Sequence, residues 1–151
     1  MRKHKIVTIE AEGRDKGKTF RIDEMSASIG EQWALDALNG IARSGLIDIS
    51  DLRDTPMAGL AALGLKAFMG MAKADLQPLL IQMFSCIKFV VPAMPAGRPL
   101  IEDDIEEIMT RLKLRQEVFE LHTGFSEAVA RWNSAAAASA QQGEGASSPS
   151  T

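Results

Sequence analysis

The sequence predicts a mainly α fold of the α+β class. An N-terminal β-hairpin over residues 5–23 precedes a compact bundle of five or six helices within residues 28–133, all in one domain, and residues 134–151 form a disordered tail. Three observations predict this. Lys5–Ala11 and Thr19–Asp23 alternate apolar and polar residues on either side of a glycine-containing turn. From Pro56 to Val91 the chain is at its most apolar, and the apolar residues recur at helical spacing. From Ser134 it becomes SAAAASAQQGEGASSPST, with no large apolar side chain to offset the entropy of ordering.

In the hairpin, Val7, Ile9 and Ala11 share one face, Phe20 and Ile22 point inward, and EGRDKGK supplies the turn. A lone two-stranded hairpin is marginal in water, so this one must pack on the helices or pair through an open edge. Ser28-Ile-Gly-Glu31 has capping-box spacing and opens a helix that buries Trp33, Ala34, Ala37, Leu38 and Ile41 before Gly45 stops it. Leu46–Thr55 reads as a connector whose Ile47, Ile49 and Leu52 turn toward the core.

The apolar hairpin follows as two helices. Met57, Leu60, Ala61, Gly64, Phe68 and Met71 line the first; Leu76, Leu79, Leu80, Met83, Ile87 and Val91 line the second. Asp75 is placed to cap the second, and Pro78 falls in its first turn. Gly59, Gly64 and Gly70 each cost about 1 kcal/mol relative to Ala inside a helix, which implies closely approaching neighbours. The run PAMPAGRP cannot continue a helix and reads as a hinge. Glu102–Arg115 then reads as a helix with acidic residues first and basic residues last, complementing its dipole. Ile101, Ile105, Ile108, Met109 and Leu112 form its stripe. The shift to Leu114, Val118 and Leu121 predicts a bend near Leu112–Leu114. His122-Thr-Gly124 closes that segment, and Phe125, Ala128, Val129 and Trp132 mark a last amphipathic helix.

Composition is that of a globular domain, with 25% charged and 46% hydrophobic residues and a formal net charge of −3 over 151 residues. Arg2, Lys3, Lys5, Arg14, Lys16, Lys18 and Arg21 make the N-terminus basic, but aromatic side chains are scarce among them, which favours a solvated hairpin over a nucleic-acid patch. The single cysteine, Cys86, lies in an apolar run and reads as an inert core residue suited to a reducing cytoplasm. No signal peptide is visible, and the apolar runs are short for a membrane span and contain Lys66, Gln82 or Lys88.

Catalytic and metal chemistry find little support. The carboxylates of Glu102–Glu107 radiate around a helix start rather than converge as hard-cation ligands do. His4, His122 and Cys86 lack zinc-ligand spacing, and no nucleophile stands beside a histidine in a known arrangement. The expectation is a protein that is not an enzyme and has no cofactor or metal.

Three stretches together resemble the tail assembly chaperones of long-tailed bacteriophages and prophages. They are GRDKGKTFRIDEMSASIGEQWALDAL at 13–38, MAGLAALGLKA at 57–67 and IEDDIEEIMTRLKLRQEVFELHTGF at 101–125. The resemblance implies a late, helical virion-assembly protein of the host bacterial cytoplasm, absent from the mature virion. It would bind the tape measure protein and keep it soluble while the tail tube assembles. Further partners implied are the tail tube protein, a frameshifted longer form of itself and, from the open hairpin edge, a homo-oligomer; a membrane is not among them and nucleic acid is disfavoured. The competing readings are a holin-like membrane-active helical hairpin and a small nucleic-acid-binding regulator.

The family offers no fixed site motif to carry over, so the docking surface is read from the residues. Beyond the hinge, Glu102, Asp103 and Asp104 could attract basic residues of a tape measure helix. Ile105, Ile108, Leu112 and Phe119 could supply the apolar ridge or groove that helix recognition needs. The same stripe would equally serve to close the core.

Overall fold

The computed structural model describes residues 1–45, 48, 50 and 54–124. Among these the chain forms β1 (His4–Thr8), β2 (Thr19–Asp23), α1 (Ala27–Arg43), α2 (Pro56–Met69), α3 (Lys73–Ser85), β3 (Ile87–Val91), β4 (Met94–Pro99) and α4 (Ile108–Thr123), with a 3₁₀ turn at Glu102–Asp104. The strands make one antiparallel sheet in the order β1-β2-β3-β4. One face of the sheet sends Val7, Phe20, Ile22 and Ile87 into a core shared with the helices. The other carries Ile6, Thr8, Thr19, Arg21 and Lys88.

This corrects the expected bundle of five or six helices: the described residues hold four helices and a four-stranded antiparallel sheet. The error lies in residues 87–99. Met83, Ile87 and Val91 are spaced as a helical stripe, but Ile87-Lys-Phe-Val-Val is also a short β-branched and aromatic run. The choice was made by β2. Its Phe20 and Ile22 need partners, and they find them in Phe89 and Ile87. The run PAMPAGRP is accordingly no hinge. Val91 pairs with Met94 across a tight turn at Pro92-Ala93, and the remainder is edge strand β4, the position where Pro95 and Pro99 are tolerated.

The hairpin of β1 and β2 forms, with Val7 opposite Phe20 and Lys5 opposite Ile22; β1 ends at Thr8, and Ala11, expected on its inward face, is exposed. Helix α1 buries Trp33, Ala34, Ala37, Leu38 and Ile41, as its periodicity requires. It begins two residues earlier than the capping-box reading, with Ser26 rather than Ser28 at the cap position and no side-chain cap bond. Asp75 does not cap α3 either; its carboxylate accepts from Arg43 Nη2 at 2.8 Å. Pro78 lies inside α3, past the first turn.

Helix α2 is kinked. Gly64 takes φ +83°, which no other residue adopts cheaply, and a methyl group there would meet nothing within 4 Å. The glycine thus serves the backbone rather than a close approach. The close approach is at Gly40 of α1, where a methyl would stand 2.8 Å from Met71 Sδ. Trp33 anchors the helical layer: its ring packs 5.4 Å from Phe68 and 6.5 Å from Phe119, and its indole N–H donates to the Leu79 carbonyl at 3.2 Å.

Among the described residues no single helix is long and apolar enough to cross a membrane; α2 and α3, the pair that would be needed together, are bent by 114°. Ile47, Ile49, Leu52, the helix expected over 125–132 and the tail 134–151 lie outside the described residues.

Candidate functional site

The segment expected to dock a partner begins where the sheet ends, and the structure divides its seven residues. Asp104 is buried and holds both Nη atoms of Arg98 at 2.7 Å, with the Ile101 N–H at 2.8 Å. Phe119 is buried between Trp33 and Phe68, and Ile105 is half-buried against the core. These three work inside the fold. Glu102, Asp103, Ile108 and Leu112 are on the surface.

The end of the acidic run, Glu106 and Glu107, is engaged by the β1–β2 loop. The carboxylate of Asp15 accepts the Glu106 N–H at 3.0 Å, the Glu107 N–H at 2.8 Å and Lys18 Nζ at 2.8 Å. It fixes the entry into α4 from another part of the chain by satisfying the amides of the N-cap position Glu107 and of the residue before it. Burial by itself would raise the Asp15 carboxyl, but these donors and Thr110 outweigh it and hold the group well below the usual range. Lys18 also reaches Glu106 Oε2 at 3.0 Å, and Arg14 Nε reaches Glu107 Oε1 at 3.0 Å. Arg98 keeps Asp104 ionised in the same way, its hydrogen bonds outweighing burial.

Among the described residues most of the basic N-terminus is engaged by such contacts, the side chains of Arg2 and Lys3 excepted. Arg14 and Lys18 pair with α4's approach, Lys16 with Glu12, and Lys5 with the buried Glu117, which Lys113 also holds at 2.7 Å. Arg21 and Lys88 share Asp23 across the outer face of the sheet. A stripe of free cations for a phosphate backbone is not what this pairing leaves.

The segment starts its helix late. Glu102–Asp104 is a single 3₁₀ turn and Ile105–Glu107 is not helical, so α4 runs from Ile108 and continues to Thr123 with no break at Leu112–Leu114. Along one side of it stand Ile108, Leu112, Arg115 and Phe119, at helical spacing. The far end of this ridge is covered by Trp33 and Phe68. The near end is not: Ile108 is 77% exposed, Met109 71% and Leu112 43%, with Ile101 beside them in sequence at 60%. The buried side of α4 carries Leu114 and Val118 together with Thr110, Glu117 and Thr123.

Between Met109 and Lys113 of α4 and the outer edge of β1 lies a groove of about 630 Å³, with Ile6 of β1, itself 51% exposed, along it. Ile6 and the exposure of Met109 are what sequence reasoning missed. The signal for Met109 was the polar content of the face opposite the stripe, too weak to reverse the usual inference that a stripe is buried.

Other candidate chemistry is quiet. Burial pushes the Cys86 thiol up to about 11, which leaves it protonated and unreactive at neutral pH. His122 Nε2 accepts the Met25 N–H at 2.8 Å while Nδ1 stands 2.8 Å from the Val118 carbonyl, so the ring is neutral with its proton on Nδ1. Among the described residues no group of three or more His, Cys, Asp or Glu is arranged to hold a metal ion.

The fold and this face define a two-layer α+β domain with a half-covered apolar helix and an open sheet edge beside it. Compared with known proteins, the chain matches no family model, no curated protein and no solved structure.

Proposed function

We propose that this protein is a tail assembly chaperone of a long-tailed phage or prophage, acting in the host bacterial cytoplasm and absent from the finished virion. Its client is the tape measure protein, whose long apolar helices need cover until tail tube subunits polymerise around them. One observation carries the reading: the first two turns of α4 present Ile108, Met109 and Leu112 to solvent on a helix whose other end is anchored in the core. An apolar ridge held on a rigid element suits helix-to-helix recognition. Glu102 and Asp103, exposed at its head, supply attraction for basic client residues, while buried apolar contact supplies most of the affinity. Asp104 has no part in this, because Arg98 occupies it.

The test is co-expression with a tape measure protein. Ile108→Asp with Leu112→Asp alters only exposed side chains, so the fold is kept while client affinity falls by at least about tenfold, the loss expected for a central apolar anchor. Glu102→Lys with Asp103→Lys slows capture at low salt and has less effect at high salt. Undiminished co-purification by the Ile108/Leu112 variant would refute the assignment of this ridge.

A further inference from the structure

The two edges of the sheet are built differently. Edge strand β4 is blocked: Pro95 and Pro99 lack N–H groups, the β3–β4 pairing is irregular between Phe89 and Val91, and Gly97 turns the backbone to φ +79°. Edge strand β1 has neither proline nor glycine. Its lysine at position 5, the residue type that often guards an edge, is folded back onto Glu117.

The free hydrogen-bonding groups of β1 follow from its pairing. Ile9 donates to the Lys18 carbonyl and accepts from the Gly17 N–H, and the Lys3 carbonyl accepts from Glu24. Odd-numbered residues therefore face β2, and the N–H and C=O of His4, Ile6 and Thr8 face outward. These three are symmetric about Ile6, the middle of the strand.

We propose that β1 pairs with β1 of a second copy, antiparallel about a two-fold axis through Ile6, to make one eight-stranded sheet. In this register Ile6 meets Ile6 of the second copy and His4 meets Thr8, each pair exchanging the outward N–H and C=O groups. Ile6 is covered on the solvent face. Just beyond the strand, Arg2 comes opposite Glu10 of the second copy, and Lys3 opposite Ile9. Moving the centre to Lys5 would set Lys5 against Lys5, which charge disfavours. A two-fold axis normal to the sheet keeps both helical layers on one side, with the groove beside Met109 next to the axis. The interface belongs to the chain alone and does not rest on the tape measure reading.

Sedimentation of the purified chain, without client, tests this. The wild type is expected to dimerise. Ile6→Pro removes an N–H that the β1–β2 ladder does not use, so it should abolish the dimer while circular dichroism and Tm show the fold retained. Ile6→Cys should cross-link under oxidation, because Cα atoms opposed in a hydrogen-bonded antiparallel pair stand about 5.5 Å apart, within disulfide reach; this arm does not depend on the proline variant folding. Arg2→Glu and Glu10→Arg should each weaken dimerisation about fivefold, and the double exchange should restore it. A strict monomer at high concentration, a dimer that survives Ile6→Pro with no Ile6→Cys cross-link, or a double exchange that restores nothing would overturn the proposal.

Discussion

A single buried carboxylate illustrates how the two ends of this chain are joined. Asp15 sits in a turn that reads as solvated, yet it satisfies two backbone amides at the head of α4 and a lysine from its own loop. Its removal leaves those donors without their acceptor. Asp15→Ala should therefore cost about 2–3 kcal/mol, because two backbone amides and a lysine lose a charged acceptor at once. Urea unfolding measures this; a loss below about 0.5 kcal/mol would mean that water replaces the carboxylate. Neighbouring Lys16, whose visible partner is the exposed Glu12, is the control, since exposed ion pairs contribute little. Nothing local in EGRDKGK marks Asp15 as different from a turn aspartate. The contact spans most of the sequence, and only the folded chain supplies it.

At the level of elements, the β3–β4 hairpin rests on Gly97. The residue takes φ +79°, and a methyl group there would stand 2.7 Å from Lys88 Cβ and 3.3 Å from the Phe89 carbonyl oxygen. Gly97→Ala thus meets both backbone strain and a clash, and should destabilise by about 2–3 kcal/mol. Gly64→Ala meets open space and only the strain, so it should cost about half as much; equal losses in thermal melts would contradict this account. The same hairpin shows why the helical reading failed. In Ile87–Val91 the spacing of apolar residues suits either element, and the β-branched content outweighs it only because β2 is present to be paired. Helix α4 shows the converse. Its stripe was legible, but whether the stripe is covered depends on how far the α1–α2 layer extends, and that layer reaches Phe119 and stops short of Leu112.

For the whole molecule, the ionised groups set a stability profile with two acid limbs. Burial lowers the His122 pKa from its ordinary value, against weaker opposing effects from the Val118 carbonyl and Glu24. An unfolded histidine takes up a proton near pH 6.5 and the folded one only at lower pH. Below about 6.5 the unfolded chain binds more protons, so stability falls with pH and levels off once the folded ring also titrates. The second limb comes from Asp15, Asp104 and Glu117. Glu117 is raised by burial but lowered further by Lys113 and Lys5. All three are held below their ordinary values, so their contribution is complete above about pH 5 and is lost as pH falls through the unfolded and then the depressed range. Urea midpoints measured against pH should show both limbs, and His122→Gln should erase the first alone. A flat profile from about pH 7 to 5 in the wild type would show that His122 titrates normally.

Local pattern alone determined the β1–β2 hairpin, the buried face of α1 and the ending of α4 at Gly124. Each follows from alternation, helical spacing or a stop residue within a few positions, and each is satisfied by short-range geometry. Tertiary structure decided the rest. It made a strand of Ile87–Val91 because Phe20 and Ile22 lacked partners, and an edge of PAMPAGRP because that strand needed a neighbour. It drew Asp104, Glu106 and Glu107 into pairs with Arg98, Lys18 and Arg14, and left Ile108, Met109 and Leu112 in water. Hydrogen bonding and burial at these sites are properties of surfaces that meet across the chain, and no spacing along it encodes which surfaces meet.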